Sequence, residues 1–517
     1  MIGAEAVLRS LVASGVDVVF GNPGTSEMHF VATLDAVPEM RGVLALFEGV
    51  ATGAADGYAR MRDAPAAALL HLGPGLGNGI ANLHNARRAH APVVVVVGDH
   101  ATYHAKFDAP LQSDIETAAR NVSAWIRHSV RSEDAGADAA AAVAAAYGPP
   151  GQVATLILPA DVSWSEGGVV SAPVARQQRS QVPTATVEAA ARALQSGKAT
   201  AMLLGGHALR ERGVDLAARI AAATGAELLS ETFPARAERG AGIPVVQRLA
   251  YLGEMAAGQL EGLHHLILAG AHSPVSFFAY PGKPSALAPD GCEVLTLAGG
   301  GDDIIAALED LAAAVDAVDD VVVTDAPRPE RPAGGLGAET VARAIGALLP
   351  EGAIVSDEAN TSGTFLPGYT AGAPRHDWLT LTGGAIGQGL PVAVGAAIAC
   401  PDRQVLAVEA DGSALYTVQS LWTMAREQLD VTTVILSNRR YAVLRMELAR
   451  VGATASGERA LQMLDIAPPE IDFVALAHGF GVPASRPETA EAFSDALERA
   501  FAEPGPHLIE AVVPSLF

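Results

Sequence analysis

The sequence predicts an α/β fold of three doubly wound parallel-sheet domains. Three observations predict it: the chain has 517 residues, half of them are apolar with only 5% aromatic, and short apolar runs alternate with glycine-containing turns and helical patterns throughout. A chain of this length exceeds one core and suits about three domains of ordinary size. Few aromatics with abundant alanine and glycine suit helices packed closely on sheets better than a β-sandwich.

The first unit is predicted over 1–166. Its strands are VDVVF, GVLALFE, AAALLHLG, APVVVVVGD and ATLILPADV, the last spanning Ala154 to Val162 after an alanine-rich helix at about 134–147. Near-continuous apolar strands of this kind belong to parallel sheets covered on both faces. Gly167 to Thr186 mixes Gln, Arg, Ser, Pro and Val without periodicity and reads as a linker. A second unit, 187–324, repeats the alternation with TAMLLGG, GAELLSETF, HLILAGA and CEVLTLAG, and closes on an alanine-rich helix before Val321. DAPRPERPAGGLGAE, Asp325 to Glu339, is the second linker. The third unit, 340–517, supplies AIVSDE, WLTLTG, QVLAVEADG, VTTVILSN and HLIEAVV. Active loops are expected at the carboxyl ends of these parallel strands.

Charge narrows the functions. Lys plus Arg number 34 against 57 Asp plus Glu, a formal charge of −23 that repels nucleic acid and favours solubility. Cys292 and Cys400 lie far apart with no metal-ligand or disulfide pattern around them, which fits a reducing cytoplasm. The N-terminus lacks the basic n-region of a signal peptide, and runs such as Pro92 to Val97 are too short to span a bilayer. A soluble cytoplasmic protein is expected.

The strongest local signal lies in the third unit, QVLAVEADGSALYTVQSLWTMAREQLDVTTVILSNRRY. One strand ends at Asp411-Gly412-Ser413, a helix follows, and a second strand ends at Ser437-Asn438, with 413 to 436 lying between Gly412 and Ser437. That puts Asp411 and Asn438 on neighbouring strand ends, where two oxygen side chains can share a metal. Mg²⁺ takes few protein oxygens and completes its shell with phosphates and water, and a helix opening at Ser413 would offer amides to the same phosphates. Asp-Gly is also a common turn and Asn a common strand terminator.

This pattern resembles the fingerprint of thiamine-diphosphate-dependent enzymes: Gly-Asp-Gly, a comparable spacer, then Asn-Asn. Ala410 and Ser437 depart from it, but neither position coordinates metal in that family. The resemblance implies metal ligation by Asp411, Asn438 and the main-chain carbonyl of Arg440, with Gly412 and Ser413 near the diphosphate. VVFGNPGTSEMHFVATLD, LALFEGVATGAADGYAR and LLHLGPGLGNGIANLHNARRAHAPVVVVVGD resemble the pyrimidine-binding domain of the same superfamily over 20–100. Glu48 falls on its catalytic glutamate. A carboxylate between Phe47 and a run of glycine and alanine is poorly solvated, which favours proton sharing with N1′ of the aminopyrimidine. By the same resemblance Ile386, flanked by Gly383, Gly384 and Gly387, wedges the cofactor into its bent form, and Asn360 contacts it.

The resemblance over about 20–165 and 340–515 is to benzoylformate decarboxylases and to proteins labelled acetolactate synthase large subunit. It implies a 2-oxoacid decarboxylase or carboligase. His71 aligns with an active-site histidine of the decarboxylase and Thr25 with its substrate-contacting serine. Its second histidine has no counterpart; Phe277, Phe278 and Ala279 stand there, and His272 is displaced. His100 and His104 supply a proton relay or cap a surface loop. YAVLRMELAR lacks the tryptophan that selects the synthases' second substrate, and 185–325 shows no Gly-x-Gly-x-x-Gly run, which speaks against FAD. A catalytically silent regulatory protein is the alternative, opposed by the joint presence of Glu48, Asp411 and Asn438. The resemblance also implies a homodimer or homotetramer, with Glu48 of one chain serving the metal-bound cofactor of another.

Overall fold

The computed structural model describes residues 1–317, 326–453 and 457–516. Its first sheet is built from β1 (Val18–Asn22), β2 (Arg41–Leu44), β3 (Ala66–Leu70), β4 (Val93–Asp99), β5 (Trp125–His128) and β6 (Val153–Pro159), in the order β2-β1-β3-β4-β6-β5. Every pairing is parallel, and each residue of β3, β4 and β6 is buried, as near-continuous apolar runs require. The second sheet contains β7 (Thr200–Leu204), β8 (Glu227–Ser230), β10 (Gln247–Arg248), β11 (His265–Ala269) and β12 (Glu293–Ala298), ordered β10-β8-β7-β11-β12.

The third sheet contains β13 (Ile354–Glu358), β14 (His376–Thr380), β15 (Val405–Ala410), β16 (Val431–Ser437), β17 (Ala484–Ser485) and β18 (His507–Val512). Its far edge is β9 (Ala237–Arg239), which arrives from the central part of the chain and pairs antiparallel with β14. The third sheet is therefore parallel but for one borrowed edge strand. β5, β9, β10 and β17 are not evident in the sequence, because WIRH, AER, QR and AS are short or polar and give no apolar run. The helix expected near 134–147 spans Ser132–Tyr147, and helix Thr184–Leu194 begins inside the linker expected over Gly167 to Thr186. Val321, the unit end at 324, Asp325 and residue 517 lie outside the described residues.

The first and third sheets meet through two buried helices, Glu48–Arg62 and Gly389–Ala399. Gly53 lies against Pro391, Gly57 against Val392 and Gly395 against Ala54, so missing side chains bring the backbones together. A buried ion pair ties the contact: Arg60 donates to both oxygens of Asp56 at 2.8 and 2.6 Å and to the Thr380 carbonyl at 2.8 Å, and Gln388 donates to Asp56 at 2.7 Å. Removing one member would strand a charge away from water. Among the described residues no helix is long and apolar enough to cross a membrane.

Candidate active site

Asp411 and Asn438 lie just beyond the carboxyl ends of the adjacent parallel strands β15 and β16, where Ala410 pairs with Leu436. Asp411 is 2% exposed. Its carboxylate accepts from the Gly412 amide at 2.9 Å and the Arg439 amide at 2.6 Å. Burial pushes this carboxyl up to about 6 against those backbone donors. Among the described residues no cation pairs with it, so a divalent ion would supply the missing counter-charge. Asn438 Oδ1 accepts from the Arg440 amide at 3.1 Å, and its Nδ2 donates to Ser362 Oγ at 3.2 Å. No cluster of three His, Cys, Asp or Glu side chains that could hold a metal exists among the described residues. One carboxylate, one amide oxygen and one main-chain carbonyl leave half of an octahedron to phosphate and water, the set that Mg²⁺ favours.

The helix expected after this motif is broken in two. A single turn, Asp411–Ala414, is followed by Ser420–Arg426. The turn opens at Asp411, two residues earlier than expected. Ser413 accepts at 2.9 Å from Asn360, whose φ of 49° is left-handed; asparagine tolerates that region.

Gly383–Gly387, the loop that carries Ile386, is pinned from both sides. Asn85 donates to the Ala385 carbonyl at 2.7 Å and accepts from its amide at 3.2 Å, while Asn82 and Thr417 donate to the Gly387 carbonyl at 3.1 and 3.0 Å. From below, the Glu358 carboxylate accepts from the amides of Gly387 at 2.7 Å, Gln388 at 2.8 Å and Gly389. Burial pushes Glu358 up to about 7. Gly384 and Gly387 have φ of 73° and 93°, and a side chain on Gly384 would strike Phe277. Ile386 itself is half-buried.

On the first sheet, Glu48 opens a helix and is 7% exposed; its Oε2 accepts from Asn78 Nδ2 at 3.0 Å. A Cβ on Gly75 would lie 3.2 Å from Glu48 Oε1 and 3.4 Å from His71 Cβ, so Glu48 and His71 flank that glycine. Asn82, donating to the Gly49 carbonyl at 2.8 Å as well as to Gly387, links the Glu48 helix to the Ile386 loop.

Sequence reading missed one residue here. Glu27 is 2% exposed, and its Oε2 takes both His71 Nδ1 at 2.8 Å and the Gly24 amide at 2.7 Å. Burial raises its carboxyl, against the Gly24 amide and His71. Gly24 packs on the His71 ring, which brings exposed Thr25 beside it. Glu27 Oε1 is buried, without a partner, against Gly98, next to Asp99 and His100. The available signal was a glutamate three residues after Gly24 in NPGTSE, the spacing that returns a carboxylate to the loop amide. His100 Nε2 is likewise buried without a partner, whereas His104 is exposed, its ring centroid 5.4 Å from that of His100. Of the two readings for this pair, surface capping suits His104 and an inward role suits His100. Thr25, Glu27, His71 and His100 thus gather past the carboxyl ends of β1, β3 and β4. Among the described residues, no hydrogen bond or ion pair joins this group to Asp411, Asn438 or Arg440.

Buried polar clusters at the carboxyl strand ends of two doubly wound domains, joined by a third, define a class of protein, and comparison with known families agrees. Residues 1–124 match the thiamine pyrophosphate enzyme N-terminal TPP binding domain and 362–511 the corresponding C-terminal TPP binding domain. The chain belongs to the thiamine-diphosphate-dependent enzymes. It is 61% identical over the full length of both chains to a Mycobacterium tuberculosis protein provisionally named acetolactate synthase large subunit IlvX. It is 30% identical to benzoylformate decarboxylase of Pseudomonas aeruginosa, covering 96% of each chain. A structure of thiamine diphosphate-dependent 4-hydroxybenzoylformate decarboxylase from Rhodococcus jostii superposes with a TM-score of 0.86 at 26% identity, covering 99% of each chain.

Proposed function

We propose that this thiamine-diphosphate-dependent enzyme decarboxylates a small 2-oxoacid and releases the remainder as an aldehyde or joins it to a second carbonyl compound, with chemistry nearest that of the benzoylformate decarboxylases. One observation carries the reading: buried Glu48, flanking Gly75 opposite His71, sits on the first domain, while the buried Asp411, with no cation beside it among the described residues, and Asn438 follow the carboxyl ends of adjacent strands of the third. Bound thiamine diphosphate supplies a carbon nucleophile and an electron sink. Asp411, Asn438 and the Arg440 carbonyl would hold its Mg²⁺, Gly412, Ser413 and Asn360 would border the diphosphate, and Ile386 with Gly384 would support the bend. We place the pyrimidine half on 1–166 and the diphosphate half on 340–517.

Glu48 would exchange a proton with N1′ of the pyrimidine. Its burial keeps water from competing for that proton. His71 and Thr25 would orient the substrate and move a proton at its carbonyl oxygen, with Glu27 fixing His71 through Nδ1 so that Nε2 faces the substrate. His100 would serve the same proton path. True acetolactate synthesis is the second reading, favoured by the 61%-identical relative's name.

We further propose that the active unit is a homodimer or homotetramer in which Glu48 of one chain meets the Asp411 site of another. Each half-site in the single chain is rimmed by exposed apolar side chains: Tyr103, Phe107 and Leu111 near His100, and Tyr416, Leu444 and Met463 near the metal motif. Apposition of two copies would cover both rims and complete two sites.

The reading is tested by supplying the purified protein with thiamine diphosphate and Mg²⁺ and following CO₂ and products from a panel of 2-oxoacids that includes pyruvate and benzoylformate. Aldehyde or ligation product from an aromatic 2-oxoacid supports it. Acetolactate from pyruvate alone selects the second reading, and no CO₂ from any member, with cofactor bound, supports a silent binding protein.

A further inference from the structure

A cavity of about 280 Å³ lies where the chain between the second and third sheets packs on the third domain, and none of the candidate active-site residues lines it. The borrowed strand β9 makes one wall. It sets Arg239 opposite His376 of β14. At Gly240 the chain turns away with φ of 117°, and the missing side chain lets the backbone lie against the carbonyls of Pro374 and Ala373. The segment that leaves this turn, from Ile243 to Arg248 at the end of β10, makes a second wall, and the third domain contributes Pro367, Gly368 and Ala371 around helix Leu366–Tyr369.

Two guanidiniums line this cavity without a counter-charge. Arg239 lies over the Trp378 ring, 5.0 Å from its centroid, and its one side-chain hydrogen bond goes to the Pro367 carbonyl. Arg248 makes no side-chain hydrogen bond, and neither arginine forms an ion pair, among the described residues. Burial lowers the Arg239 guanidinium to about 10, and repulsion from Arg248 adds to that. The nearby carboxylates are engaged elsewhere. Asp357 accepts from Trp378 Nε1 at 3.1 Å and from the Ala359 amide at 3.2 Å. Glu238, the one carboxylate in the described lining, accepts from the Glu211 amide at 2.7 Å and pairs with Arg236 at 3.1 Å. Like charges enclosed together without an anion are costly, and the guanidinium fork matches a planar carboxylate.

The remainder of the lining selects the body of the ligand. Val214, Ile243, Val246 and Ala371 join the Trp378 ring in an apolar surface. Inorganic phosphate would leave that surface uncovered. An α-amino acid would bring an ammonium group with no free carboxylate to receive it, because Glu238 is already paired. The volume is that of about nine water molecules in the liquid, enough for one ring or a short branched chain and too little for a nucleotide.

We propose that this junction cavity binds a small monocarboxylate with a branched or aromatic body, its carboxylate on Arg239 and Arg248 and its body against Trp378 and Ile243. The test uses protein saturated with thiamine diphosphate and Mg²⁺ and reads binding rather than turnover. 4-Methylpentanoate, benzoate, 4-methylpentanamide, leucine and inorganic phosphate are each titrated calorimetrically, and amide hydrogen exchange locates whatever binds. At least one of the two carboxylates should saturate at one per chain with Kd below about 1 mM. It should slow exchange over 239–248 and 366–371, and bind about tenfold or more tightly than the amide, leucine or phosphate. Arg248→Met, which breaks no hydrogen bond or ion pair among the described residues, should weaken it about tenfold or more. Arg239→Met should do the same, with unchanged thiamine-diphosphate affinity showing each variant folded. Binding of neither carboxylate, protection confined to the segments around His71 or Asp411, equal binding of the amide, leucine or phosphate, or undiminished binding in Arg248→Met would each overturn the assignment.

Discussion

Glu27 provides a perturbation whose size can be worked out. Its Oε2 receives both the Gly24 amide and His71 Nδ1, and its Oε1 makes no hydrogen bond. Glu27→Gln can therefore place its single carbonyl oxygen where Oε2 lies and keep both contacts, losing the negative charge and setting its amide nitrogen where the unpartnered Oε1 lies against Gly98. A hydrogen bond to a charged group contributes about 1–2 kcal/mol more than a neutral one, so turnover should fall about 5- to 30-fold. Glu27→Ala also releases the ring and should cost about 100-fold. Because Glu27 is 2% exposed and on the proposed reading would reach a substrate only through His71, KM should move little and thiamine-diphosphate affinity not at all. Steady-state kinetics on the 2-oxoacid selected by the CO₂ panel, run as a double-mutant cycle with His71→Ala, measures this. The double variant should be no slower than His71→Ala alone. Independent, multiplying losses, or wild-type turnover in Glu27→Gln, would refute the claim that Glu27 works by positioning His71.

Other outcomes follow from the same geometry. Asp411→Ala should fold but lose measurable thiamine-diphosphate binding by calorimetry, since it removes the carboxylate of the proposed metal site; unchanged affinity would remove the metal assignment. Glu358, 2% exposed and pushed by burial from 4.5 up to about 7, binds its proton more tightly folded than unfolded. The Glu358 contribution to stability should consequently fall as pH rises from about 4.5 to about 7, by about 3 kcal/mol. Denaturant midpoints across that window should show a flatter slope in Glu358→Gln, and an unchanged slope would exclude Glu358 as its source. Verified mixed dimers of Glu48→Gln and Asp411→Ala chains should recover roughly half the wild-type activity per dimer if sites are shared. Inactive mixed dimers, with each wild-type monomer active alone, would place the site within one chain.

Where side-chain pattern and strand order carry the information, the sequence is legible. The all-valine interior of β4 and the strand-ending Asp411 and Asn438 announce a parallel sheet and a shared edge before any coordinates. The crossover of β9 into the third sheet is not legible, because AER has no apolar alternation and its pairing depends on a distant partner. Glu27 was passed over for a related reason: in sequence it is a polar residue at a helix start, and only folding lays His71, 44 residues on, against it. The glycines around Ile386 suggest close approach to a ligand in sequence, whereas the group that meets Gly384 in this chain is the Phe277 ring.

The most direct test of the central claim, that Glu48 exchanges the proton that activates the cofactor, is H/D exchange at the thiazolium C2 of bound thiamine diphosphate, followed by acid quench and NMR. Wild-type protein should exchange C2 rapidly. Glu48→Gln should bind the cofactor with unchanged affinity and exchange it about 10²- to 10⁴-fold more slowly, the range of a lost general acid–base group. Equal exchange rates in the two proteins, at equal occupancy, would contradict the account.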